Sequence, residues 1–174
     1  MKEIFKKLII DSQEREFGEL VEREYKIPLK TRKIVSLIGV RHSGKTSLLF
    51  KLIESLRGQV DRENIAYINF EDDRLFPIVL KDLDGFIEGF YELYPEKRDE
   101  KIYLFLDEVQ SIEGWELFVR RLHDTLNVQL SITGSSSRLL SSELASSLRG
   151  RTIAYEIFPF SFVTIQRNFH AVQY

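Results

Sequence analysis

The chain alternates two kinds of hydrophobic pattern. Five short runs are mostly apolar and rich in β-branched residues: "KIVSLIG" (33–39), "NIAYINF" (64–70), "KIYLFLDE" (101–108), "VQLSITGS" (128–135) and "RTIAYEIF" (151–158). Runs of this length predict strands buried on both faces, as in a parallel sheet. Between them apolar residues return every three or four positions, which predicts helices with one buried stripe. "KTSLLFKLIESLRG" puts Leu48, Leu49, Leu52, Ile53 and Leu56 on such a stripe, with Gly58 at its end. In "GWELFVRRLHDTL", Trp115, Phe118, Val119, Leu122 and Leu126 share a face. "FPIVLKDLDGFIEGFYELY" is also helical in period, but its glycines leave the boundaries open. The first thirty residues place Ile4, Phe5, Leu8 and Ile9, then Phe17, Leu20 and Val21, at helical spacing. They predict short helices packed on the core, closed by Pro28. Strands alternating with helices predict an α/β, three-layer domain around a five-stranded, mainly parallel sheet.

Between the first strand and its helix stands "GVRHSGKTS". It fits G-x-x-x-x-G-K-[ST], the phosphate loop of P-loop NTPases, in the strand-to-helix setting that the motif requires. There, backbone amides and a helix N-terminus converge on an anion. The candidate nucleotide-binding stretch is Gly39, Val40, Arg41, His42, Ser43, Gly44, Lys45, Thr46 and Ser47. Gly39 and Gly44 permit the tight turn, Lys45 reaches the β- and γ-phosphates, and Thr46 offers its hydroxyl to Mg²⁺. Arg41 and His42 fill variable positions.

The strand "IYLFLDEVQ" ends on Asp107 and Glu108. Strand C-termini in a parallel α/β sheet line the ligand crevice, so both acids are expected beside the loop. Asp107 is the candidate metal acid, with Thr46, and Glu108 the candidate base for an attacking water. A strand end capping the next helix is the plainer reading of the same pair. In "LSITGSSSRLL", Thr133 is the candidate polar sensor of the γ-phosphate, with Ser135 the alternative. In "SLRGR", Arg149 and Arg151 are either surface arginines or a source of charge for a neighbouring subunit's phosphate. A phosphotransferase uses the same loop, but adjacent acids favour activating water over a bulky acceptor.

Composition narrows the classes. With 43% hydrophobic and 30% charged residues among 174, the chain is an ordinary folded domain. Absent cysteine excludes disulfides and cysteine-based zinc sites, and three scattered histidines lack metal-ligand spacing. A net charge of -2 argues against a surface built only to coat nucleic acid. No apolar run reaches the length of a membrane span, so no membrane partner and a cytoplasmic location are expected.

The glycine loop, "FLDEVQ" with "GW" close behind, "ITGSSSRLLSSELASSLRGR" and "FPFSF" occur in that order. Together they resemble the AAA-type P-loop ATPases of archaea and bacteria that are usually described only as ATP-binding proteins. The resemblance runs from the N-terminal helices to about Phe162. It implies ATP and Mg²⁺ as ligands, ATP hydrolysis, Glu108 as catalytic glutamate, and Arg151 as a trans-acting arginine in a homo-oligomer. It also implies a sensor strand between the phosphate-loop strand and the Asp-Glu strand, and adenine as the base, for which 25–29 is a plausible place. The expected division is a helical segment at 1–30, an ATPase core at 31–162 and a tail at 163–174. Family members continue past "PFSF" into a helical lid and a further domain, whereas this chain reads "VTIQRNF" and stops at Tyr174. The expectation is therefore a core whose C-terminal part is missing, with turnover reduced or absent as the alternative. The target, protein or DNA, is not legible.

Overall fold

A computed structural model describes residues 1–18, 20, 25–135, 148 and 150–159. Val21, Ser136, Ser137, Arg149 and the tail at 163–174 lie outside the described residues.

The five predicted strands all form. They are β1 (Ile34–Gly39), β2 (Ile65–Asn69), β3 (Ile102–Asp107), β4 (Val128–Ser135) and β5 (Thr152–Glu156). They make one sheet in the order β2-β3-β4-β1-β5, with every pairing parallel. β4, which carries Thr133, thus lies between the loop strand β1 and the acid strand β3, the order that the resemblance implied. The helices are α1 (Lys2–Glu14), α2 (Lys45–Arg57), α3 (Asp84–Leu93) and α4 (Trp115–Thr125). The uncertain glycine-containing stretch resolves into a 3-10 turn at Leu80–Leu83 leading directly into α3.

Period-2 alternation along the strands separates two cores. One face of the sheet carries Ile34, Ala66, Ile68, Ile102, Leu104, Leu106, Leu130 and Ile132, packed under α1, α3 and α4. The other carries Val35, Leu37, Ile65, Tyr103 and Phe105 under the Leu48–Leu49–Leu52–Ile53–Leu56 stripe of α2. β1 and β3 are buried at every position, which is why they read as unbroken apolar runs.

The N-terminal segment differs from its expectation in one half. α1 forms, and its Phe5, Leu8 and Ile9 are buried. Phe17, Gly18 and Leu20 are not helical. The apolar residue Phe17 instead stacks on Phe50 of α2 at 4.7 Å, beneath the Arg57 guanidinium at 4.6 Å. An extended segment laid over a hydrophobic face produces the same apolar spacing as a short helix. α1 also closes an exposed sheet edge. Gln13 Nε2 donates to the Ile65 carbonyl at 2.9 Å, and the Tyr67 amide donates to Ser12 Oγ at 3.4 Å. Two backbone groups of edge strand β2 are thereby kept from pairing with another chain. Among the described residues, no helix is long and apolar enough to cross a membrane.

α1 is held by Phe5, fully buried with its ring 5.6 Å from that of Phe86. Phe5→Ala is expected to destabilise the domain by about 3–5 kcal/mol, the range for deleting a buried aromatic ring. A urea unfolding midpoint indistinguishable from that of the wild type would show that α1 does not belong to the cooperative core.

Candidate functional site

The loop between β1 and α2 is shaped by backbone constraints. Gly44 caps α2 with φ 88°, in the left-handed region that glycine adopts without steric penalty. It brings no side chain to the helix N-terminus, so the first amides of α2 keep their donor capacity for another acceptor. Gly39 is needed for space: a Cβ there would meet the Ile157 carbonyl oxygen at 2.3 Å and Ser43 Oγ at 2.8 Å. His42 also lies in the left-handed region, at φ 60°. Arg41 is largely exposed and pairs with Glu71 at 3.3 Å, just beyond β2.

Lys45 is buried, with its ammonium donating to the Gly39 and Val40 carbonyls at 3.2 Å each. Glu108 Oε1 stands 3.8 Å from the same ammonium. A cation resting on two neutral carbonyls inside a glycine loop has a bond set that phosphate oxygens can replace.

Asp107 ends β3 with no exposed surface. Its Oδ2 accepts from Tyr67 Oη at 2.9 Å, and its Oδ1 accepts from Thr133 Oγ1. The Thr46 side chain also favours its charged form. Burial pushes the Asp107 carboxyl above its ordinary value, the Thr133, Thr46 and Tyr67 side chains pull it back in part, and the Glu108 charge raises it further. Burial, then the Asp107 carboxylate, push the Tyr67 phenol far above its ordinary value, so it remains a donor. Glu108 turns out of the strand in the left-handed region, φ 53°. Its amide donates to Thr133 Oγ1 at 3.0 Å, and its Oε2 accepts from Gln110 Nε2. A non-glycine residue there is strained by about 1–3 kcal/mol, a feature that gathers at functional sites.

Thr46 and Asp107 offer hard oxygen donors, the kind suited to Mg²⁺. Among the described residues no group of three or more His, Cys, Asp or Glu could hold a metal unaided. Mg²⁺ is usually held by one or two carboxylates together with substrate phosphates.

The fold agrees with what known proteins show. A family model described as an AAA domain matches residues 31–165. The chain belongs to the AAA domain family. This AAA chain is 40% identical over 162 residues to an uncharacterized protein of Methanocaldococcus jannaschii, covering 92% of itself and 34% of that protein. It is 41% identical over 131 residues to an uncharacterized protein of Haemophilus influenzae, covering 75% of itself and 32% of that protein. The chain spans about a third of the length of these curated relatives. Among solved structures, the Aeropyrum pernix ORC1 protein in complex with DNA matches with a TM-score of 0.55 at 12% identity. That match covers 98% of this chain and 47% of the other, and at such identity it shows the fold alone. The fold is thus the AAA-type P-loop core, and nucleotide binding is the property of its family.

Within this AAA core, Lys45, Thr46, Asp107, Glu108 and Thr133 come together. Thr133 is fully buried, and its hydroxyl donates to the Asp107 carboxylate and accepts from the Glu108 backbone amide. Ser135, two residues on, pairs in register with Gly39 at the start of the loop. Arg151 does not join the group. It precedes β5 at the opposite end of the sheet and pairs with Asp124 at 2.9 and 3.0 Å. The sequence reading missed Tyr67 and Gln110. Tyr67 had a signal in the alternation of "NIAYINF", which sets Ile65, Tyr67 and Asn69 on one face.

Because the Asp107 carboxyl is raised in the fold, its ionisation opposes folding. That contribution to stability is complete below the ordinary carboxylate range and is lost as pH rises through the raised value. Asp107→Asn keeps the shape without the charge. Without nucleotide or divalent ions, the variant is expected to melt above the wild type near pH ~7.5, the gap closing towards pH ~4. A variant that melts below the wild type at neutral pH contradicts this.

Proposed function

We propose that the chain binds ATP with Mg²⁺ at the glycine loop and hydrolyses it, coupling turnover to a change of conformation or assembly. The observation that supports this best is the meeting of buried Lys45, Thr46, buried Asp107 and half-buried Glu108 at one loop. Lys45 exchanges the Gly39 and Val40 carbonyls for the β- and γ-phosphate oxygens, while the first amides of α2 take phosphate oxygens. Thr46 and Asp107 hold the metal. Mg²⁺, when bound, supplies the positive charge that offsets the phosphate oxygens. Glu108 aligns and polarises the attacking water, and Thr133 keeps the two acids in fixed relation. An arginine from a second copy, Arg151, adds charge at the transition state in a homo-oligomer. A cytoplasmic location and a protein or DNA target belong to the same proposal.

A second reading, a nucleotide-binding module with little turnover, is favoured by the state of Glu108. One of its oxygens accepts from Gln110 and the other faces the Lys45 ammonium, so the base is engaged at rest.

Steady-state phosphate release with excess ATP and Mg²⁺ decides between them, read against Glu108→Gln and a protein-free control. Glu108→Gln is expected to bind nucleotide like the wild type and to lose hydrolysis. Lys45→Ala is expected to weaken nucleotide binding roughly 10- to 100-fold, the worth of charged hydrogen bonds. Wild-type release above a protein-free control that Glu108→Gln matches removes Glu108 from the catalytic role. Wild-type release no faster than the protein-free control supports the binding module.

A further inference from the structure

Tyr67 has no part in the phosphate-loop scheme, yet it touches its central acid. It lies on β2, two residues before the strand ends, and its register partner on β3 is Phe105. The phenol donates to Asp107 Oδ2 at 2.9 Å, while Thr133 donates to Oδ1. The two oxygens of one carboxylate are therefore held by hydroxyls from the strands on either side of it.

Tyr67 is itself held. Its amide donates to Ser12 Oγ at 3.4 Å. Its ring packs edge-on to Phe50 at 5.1 Å, and Phe50 carries the Arg15 guanidinium at 4.6 Å on its face. The ring is half-buried and borders a cavity of about 210 Å³ shared with Ser12, Arg15 and Asn69. The phenol is turned onto the carboxylate.

We propose that Tyr67 is a positioning residue for the divalent cation, orienting the Asp107 carboxylate and so setting how strongly Mg²⁺ tightens nucleotide binding. The proposal rests on Asp107 being the magnesium acid. Without the phenol, the buried carboxylate loses one of its donors and one constraint on its plane, and both losses weaken its hold on a cation.

Tyr67→Phe tests this, because it keeps the ring contacts and removes only the hydroxyl. A fluorescent ATP analogue is titrated with EDTA and again with Mg²⁺, and the ratio of the two affinities is read. The expected result is magnesium-free affinity within about twofold of the wild type and a magnesium gain reduced about tenfold. A tyrosine that merely supports the fold lowers the melting temperature and leaves that ratio unchanged. An unchanged or larger magnesium gain, or an equal loss with and without magnesium, overturns the proposal. Asp107→Asn in the same titration separates the two levels. If the gain vanishes there but persists in Tyr67→Phe, only the role of Tyr67 fails. If wild type and Asp107→Asn show the same gain, the reading of Asp107 fails and the proposal with it.

Discussion

A carboxylate with no exposed surface at the end of β3 is the constraint around which the site is organised. Burial disfavours its charge, and a cationic partner would be the direct remedy. The chain instead turns the Tyr67 and Thr133 hydroxyls onto Asp107, and the Thr46 side chain also favours its charged form. Hydroxyls stabilise the anion without neutralising it, so its charge is still available to a cation arriving with a ligand. These three residues come from α2, β2 and β4, and they converge only because β3 lies between β2 and β4. The strand order is thus a condition of the site.

The same economy links the two adjacent acids. A single hydroxyl on Thr133 donates to Asp107 and accepts from the Glu108 amide. The chain must enter the left-handed region immediately after the strand for both contacts to form. One acid then stays within the sheet and the next emerges towards Lys45. On the far side, Gly39 brings the loop against the Ile157 carbonyl, and the Ile157 amide donates to the Ile38 carbonyl at 2.7 Å. The phosphate loop is therefore seated between the acid strand and the segment that follows β5.

Much of this was legible because parallel strands announce themselves. β1 and β3 are buried on both faces, and their apolar runs leave no alternative partition of the chain. The loop and the Asp-Glu pair were legible because their spacing carries chemistry. Phe17 was misplaced in a helix because apolar spacing does not record whether a segment winds or lies flat over Phe50. Tyr67 escaped for a different reason. Its face could be read from alternation, but its approach to Asp107 depends on the register between strands nearly forty residues apart. The inward use of the Thr133 hydroxyl depends likewise on the pairing of β4 with β3.

The place of Arg151 follows from the same parallel geometry. Its carbonyl accepts from the Ile34 amide, so it stands level with the beginning of β1, whereas the phosphate loop leaves the strand's end at Gly39. Five residues of strand separate the two levels by roughly 17 Å, beyond the span of an arginine side chain. The guanidinium is also directed to Asp124, whose carboxyl it holds down at about 2. Arg151 is thus excluded from the phosphates of its own chain, and any contact with nucleotide has to come through a second copy. In that assembly Asp124 would lose its main counter-charge. A trans-acting Arg151 therefore implies that the interface either supplies Asp124 with another cation or leaves it exposed to water, where an unpaired carboxylate carries little penalty.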